Sequence, residues 1–86
     1  MTAMVQAAGL DVNEVPDGYV VYQTEKDRVH YLNATAAIIF DFCDGEQPAE
    51  EIIRSVGEAF GLAEARYGEV RACLDNLVRE GLVTQA

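Results

Sequence analysis

Side chains able to serve as nucleophile, general base or metal ligand are sparse here: one histidine, His30, and two cysteines, Cys43 and Cys73, in 86 residues. Covalent catalysis needs a nucleophile with a base in reach, and a zinc site needs several His or Cys ligands at short spacing. A lone histidine on a strand, with two widely separated cysteines, supplies neither. No glycine-rich loop of the kind that cradles phosphate is present. Glu50-Glu51 reads as a solvated first-turn pair and Asp44-Gly45 as a turn, because a calcium loop needs carboxylates at alternating positions around a glycine. The chain therefore offers no catalytic residue, no metal site and no cofactor, and its function has to come from a surface. The cysteines read as two buried free thiols, since unpaired cysteine behaves as a small core residue.

Composition narrows what that surface can meet. Half of the residues are hydrophobic (50%) and the charges are interspersed, which suits one folded domain with a modest core. The net charge of −9, from 15 acidic against 6 basic residues, repels phosphate backbones and anionic lipid surfaces. No apolar run approaches the roughly 20 residues that span a bilayer. The stretch Met1 to Leu10 has neither the basic start nor the apolar centre of an export signal. A cytoplasmic protein that binds neither nucleic acid nor membrane is expected.

The elements that must build the surface follow from turn residues and periodicity. Residues 1–9 lack a period and read as a flexible N-terminal arm before a domain over 10–86. Leu10 to Val15 passes as a short strand, and Pro16-Asp17-Gly18 is a turn in which proline presets φ and glycine allows a positive one. Tyr19 to Thr24 and Arg28 to Leu32, rich in β-branched and aromatic residues, form a hairpin about Glu25-Lys26-Asp27. Asn33 caps a helix whose stripe is Ala36, Ile39, Phe40 and Cys43, with Ile38 and Phe42 beside it. Asp44-Gly45 ends that helix. Pro48, at a first helical position, opens a second with the buried stripe Ala49, Ile52, Ile53, Val56 and Phe60, stopped by Gly61. A third carries Tyr67, Val70, Cys73, Leu74, Leu77 and Val78 on one side and ends at Glu80-Gly81-Leu82. Strands followed by helices predict an α+β fold in which a sheet of three strands packs on three helices.

Several segments together resemble the PqqD-like family over about residues 12 to 83: Val15-Pro16-Asp17-Gly18-Tyr19-Val20-Val21-Tyr22, then Arg28 through Phe40 with its Leu32-Asn33 pair leading into an alanine-rich helix, Cys43-Asp44-Gly45, and Leu77-Val78-Arg79-Glu80-Gly81-Leu82-Val83. The resemblance implies a winged helix-turn-helix, with a three-stranded antiparallel sheet followed by three helices. It also implies a non-catalytic recognition element for ribosomally synthesised, post-translationally modified peptides. In such proteins the leader segment of a precursor peptide adds to the edge of the third strand and rests against the third helix, and a separate modifying enzyme or leader protease acts on the rest. By position, the peptide-binding residues are Arg28, Val29, His30, Tyr31 and Leu32 on the strand, and Tyr67, Val70, Arg71, Leu74, Asp75 and Val78 on the helix.

Alternatives stay open at this level. Val70, Leu74 and Leu77 serve equally well as core, which leaves the margins Tyr67, Arg71 and Val78 to face a groove. Lys26, Arg28, Arg66, Arg71 and Arg79 either flank a cleft for an acidic ligand or form a solvated rim laced by Arg71-Asp75 and Asp75-Arg79 pairs. A winged-helix nucleic-acid-binding regulator would use Arg66, Arg71 and Arg79 on phosphates, against the net charge. A scaffolding subunit of a larger enzyme would need no peptide. An open sheet edge can also join two copies as a homodimer.

Overall fold

The central strand of the main sheet is the apolar run after Pro16-Asp17-Gly18, and its neighbours in sequence are its neighbours in space. The computed structural model describes residues 3–85. In chain order these form strands β1 (Ala3–Gln6), β2 (Leu10–Val15), β3 (Gly18–Gln23) and β4 (Arg28–Asn33), helix α1 (Ala34–Phe42), strand β5 (Asp44–Pro48) and helix α2 (Ala49–Ala59). A short 3-10 turn over Glu64–Arg66, helix α3 (Tyr67–Arg79) and strand β6 (Val83–Gln85) complete the chain. The antiparallel sheet β2-β3-β4 and the three helices form the expected α+β arrangement.

The inner face of β3 presents Tyr19, Val21 and Gln23, and the β4 residues opposite them are Leu32, His30 and Arg28. Val21 and Leu32 enter a core with Ile39 and Phe40 of α1, Ile52 and Val56 of α2, and Val70, Leu74 and Leu77 of α3. Asn33 leaves β4 extended and its side chain accepts a hydrogen bond from the Ala36 N–H at 2.9 Å, so strand becomes helix without a loop. Gly18 makes the preceding turn possible. A Cβ there would sit 1.9 Å from the Leu32 carbonyl oxygen, and its φ of +150° disfavours any L side chain.

Three expectations give way. Ala3–Gln6 is no flexible arm: β1 is the middle strand of a second sheet, ordered β5-β1-β6, and Met4 is buried. Asp44-Gly45 ends α1 but then opens a strand, and Pro48 is the residue before α2 rather than its first turn. All three strands of this sheet are short, and β1 and β5 are poor in β-branched residues. Their structure comes from mutual pairing, including bonds from Gln6 N–H to the Cys43 carbonyl and from Ala7 N–H to the Leu82 carbonyl. Phe60, assigned to the buried stripe of α2, stands at the helix end and is 41% exposed.

Both α2 and α3 end in the same manner. Leu62 and Leu82 N–H bond the carbonyls of Gly57 and Leu77, and Gly61 and Gly81, at φ +65° and +78°, bond those of Glu58 and Val78. These are Schellman motifs, with the apolar residue after each glycine turned back on its helix. Cys43 is buried, its thiol donates to the Ile39 carbonyl at 3.3 Å, and its pKa is pushed up to about 12 by burial, then by Asp44 and Cys73. Burial raises the Cys73 thiol as well.

Two outcomes are expected. Gly18→Ala forces the β3–β4 pairing apart and destabilises the fold by at least about 2 kcal/mol in urea unfolding, as steric overpacking and a strained φ add together. A wild-type midpoint would refute the close approach. Because the thiolate is the nucleophile, Cys43 should stay unmodified by iodoacetamide at pH 8 in the folded chain and react fully in urea, as read by mass spectrometry.

Candidate functional site

A three-stranded sheet leaves two edges, and here they differ. Among the described residues β2 and β4 pair with β3 alone. The margin of β2 carries Asp11, Asn13 and Glu14, the charged and polar guard that keeps an edge from pairing with other chains. The margin of β4 reads Arg-Val-His-Tyr-Leu-Asn, with a single permanent charge at its start. On β4, His30 and Leu32 point to the helix side. Val29 and Tyr31, opposite Tyr22 and Val20, lie on the outer face and are 66% and 58% exposed.

Helix α3 runs antiparallel to β4. Glu80, at the end of α3, places a carboxylate oxygen 3.8 Å from the Arg28 guanidinium and 3.9 Å from His30 Nδ1, at the start of the strand. At the other end Thr35, two residues past β4, shares a hollow with Arg66, Glu69 and Val70 at the start of α3. A six-residue strand and a 13-residue helix are each about 20 Å long, so they match in length as well as having their ends near each other. The flank of α3 that looks toward β4 is set by the three- and four-residue spacing Arg66, Glu69, Cys73, Glu80.

The separation of strand and helix is held by one nearly buried polar side chain. Gln23 Nε2 donates to the carbonyls of Glu80 and Gly81 at 3.2 and 3.3 Å. Its Oε1 lies 2.6 Å from His30 Nε2. An amide oxygen can only accept, so Nε2 of His30 carries the proton and Nδ1 faces Glu80. Gln23 thus satisfies two carbonyls freed at the end of α3 and orients the one imidazole of the chain.

The residues expected on the groove divide into four groups, of which Val29 and Tyr31 lie on the outer face of β4. Arg28, His30 and Leu32 lie on the inner side of β4, as just described. Val70 and Leu74 are core. Tyr67 and Arg71 turn to the opposite flank of α3 and meet α2: a Cβ on Gly57 would lie 2.4 Å from the Tyr67 ring, and Arg71 pairs with Glu50. Asp75 and Val78 follow Arg71 by four and seven positions and share that flank. The apolar stripe of α3 has two polar margins, and nothing in its spacing says which one the sheet takes and which one α2 takes. Sequence reading places Arg66 beside a cleft but does not single out Glu69, Cys73 and Glu80 of this flank, or the buried Gln23, as site residues. The seven-residue interval from Arg66 to Cys73 to Glu80 was the available signal.

The basic side chains are largely spoken for. Arg28 faces Glu80, Arg54 faces Glu51, Arg66 forks onto Glu69 at 3.0 and 3.3 Å, and Arg71 meets Glu50 in place of the expected Asp75 partner. Arg66 holds the Glu69 carboxyl below the usual carboxylate range, first through the hydrogen bond and then through its charge. Arg66 and Arg71, the groups a nucleic-acid reading needs, are therefore engaged by neighbouring carboxylates. Among the described residues no three His, Cys, Asp or Glu side chains converge as metal ligands, and no helix is long and apolar enough to cross a membrane.

Comparison with known proteins bears on this geometry. The family model for coenzyme PQQ synthesis protein D (PqqD) matches residues 18–83. The solved structure of TbiB1 in complex with the TbiA(beta) leader peptide aligns over 92% of this chain and 93% of that one, with a TM-score of 0.75 at 15% identity, a shared fold. No curated protein matches the chain.

Replacing Gln23 by Leu should cost about 1–3 kcal/mol, because two carbonyls and an imidazole N–H lose their partner in a part-buried site. The loss should appear in urea unfolding together with faster hydrogen exchange at Gly81 and Leu82. Unchanged exchange there would show that Gln23 does not set the spacing of α3 from the sheet.

Proposed function

We propose, on the premise that the chain belongs to the PqqD family, that it is a non-catalytic recognition element holding the leader segment of a ribosomally made precursor peptide along the open margin of β4. The chain then presents that peptide to a modifying enzyme or a leader protease in the cytoplasm. The observation that carries this reading is the contrast between the two sheet edges: β2 carries the acids Asp11 and Glu14, whereas β4 carries no acid and, among the described residues, its outer edge is unpaired. That TbiB1, which shares the fold, has been solved with a leader peptide supports it.

Strand addition suits this geometry. The free N–H and C=O groups of an edge strand recur at fixed spacing and bind any extended backbone, and side-chain pockets alongside them supply selectivity. Arg28 and His30 form the strand wall, and Leu32 beneath them belongs to the core. Arg66, Glu69, Cys73 and Glu80 form the helix wall, in place of Tyr67, Arg71, Asp75 and Val78. Val29 and Tyr31 contribute backbone to the peptide and leave their side chains on the outer face. The Arg28–Glu80 pair that crosses one end is solvent-exposed, and such pairs are worth about 0–1 kcal/mol, so an entering peptide displaces it easily. The same free edge pairs with a second copy of the chain when no peptide fills it.

The test is an N-methyl scan of extended peptides selected for binding to the full chain, titrated by calorimetry. In strand addition every second backbone amide points to the host strand. N-methylation at those positions should weaken binding by about tenfold or more and leave the intervening positions near wild type. Equal effects at all positions, or none, would exclude pairing with β4.

A further inference from the structure

We infer that the cleft between α2 and α3, on the flank of α3 turned away from β4, is a docking site for an arginine- or lysine-bearing segment of the enzyme that acts on the captured peptide. The identity of that partner rests on the reading of capture at β4; the cleft and its chemistry do not.

Helical spacing builds the cleft. One wall is the flank of α2 from Glu50 to Glu58, and the other is the flank from Glu64 to Arg71 across the start of α3. Between them lie about 600 Å³, with the buried Ile53 and the Tyr67 ring, which rests against Gly57, at the inner side. The wall on α2 is about 12 Å long, which suits a short segment of chain better than a single small ion. Gly68 keeps this space open. Glycine weakens a helix relative to alanine, yet Gly68 has no positive φ and a Cβ on it would meet nothing within 4 Å. Neither backbone geometry nor packing within the chain asks for glycine there, and any larger side chain would narrow the cleft.

The charges define the guest. Arg71 is matched by Glu50 across the cleft, and Arg54 by Glu51 at 3.2 Å. Glu58 and Glu64 have no basic partner among the described residues. Glu58 follows Gly57, the residue against the Tyr67 ring, and Glu64 precedes Tyr67 by one turn, so two unmatched carboxylates bracket one aromatic ring. A guanidinium or ammonium is attracted by both kinds of group. An anion would instead have to break an existing ion pair beside two further acids. The net charge of −9 adds long-range attraction for a basic surface. Position favours the processing enzyme as its owner: a peptide on β4 and a partner in this cleft meet opposite flanks of α3, so both are held at once, as delivery requires.

The test titrates the full chain, labelled with nitrogen-15, with the heptapeptide acetyl-Ala-Ala-Ala-Arg-Ala-Ala-Ala-amide at low salt. Amide shifts should concentrate at Gly57, Tyr67 and Gly68, saturate, and fade as salt rises. The same peptide with citrulline in place of arginine should leave those amides unmoved. Glu58→Gln combined with Glu64→Gln should weaken binding about fivefold or more. Gly68→Leu should abolish it while the urea midpoint holds or rises, because leucine favours the helix. Neither variant should change the affinity of peptides selected for β4. Absence of a saturable shift at the cleft, shifts spread over the whole acidic surface, an equal response to citrulline, or indifference to both variants would overturn the site and leave capture at β4 intact. Arginine amide binding as tightly as the heptapeptide would assign the cleft to a small amine and overturn a protein partner. Uniform effects in the N-methyl scan, with the cleft response intact, would overturn capture at β4 and the identity of the partner with it.

Discussion

A buried glutamine ties the end of α3 to the central strand of the sheet. Gln23 bridges the end of α3 and the ring of His30, satisfying polar groups that would otherwise be orphaned at a helix terminus. An apolar residue there could close the helix onto the strand and cover the edge of β4. With the amide in place, strand and helix are joined at the Glu80 end. The spacing is a property of the core, and the edge stays exposed without being loose.

The second sheet supports the same arrangement from behind. By pairing with both β5 and β6, β1 ties the exit of α1 and the exit of α3 to one strand, and Gln6 adds a side-chain bond to the Phe40 carbonyl at 3.1 Å. On the far flank, Tyr67 against Gly57 sets how closely α2 approaches α3. Helix α3 is thus clamped from α2, from the second sheet and from Gln23, and the flank toward β4 is the one left without a neighbouring element. A chain of strong negative charge gains from this design, because backbone pairing works without any attraction between charges.

Local chemistry made much of this legible. Leu10 to Val15, the hairpin around Glu25-Lys26-Asp27, the Asn33 cap and the stops at Gly61 and Gly81 each rest on residues within a few positions of one another, and each stands where the sequence placed it. The choice of the β4 margin as the binding edge came instead from the resemblance to the PqqD-like family. What escaped depends on partners distant in sequence. Ala-Met-Val-Gln and Asp-Gly-Glu-Gln-Pro have little strand propensity, and become strands only because they find each other and the chain end. The groove flank of α3 escaped because a helix with an apolar stripe and two polar margins has a mirror ambiguity that only its neighbours resolve. Phe60 escaped because it fits a period yet lies where the helix has already ended.

The claim that an outside chain completes the sheet at β4 is most directly tested by amide hydrogen exchange, followed residue by residue with and without a leader peptide. Alternate amides of Arg28–Asn33, those not bonded to β3, should exchange fast in the free protein and become protected when peptide is added, while the outer amides of β2 stay fast. Protection that appears on β2 or elsewhere, with those β4 amides still exchanging freely, would contradict it.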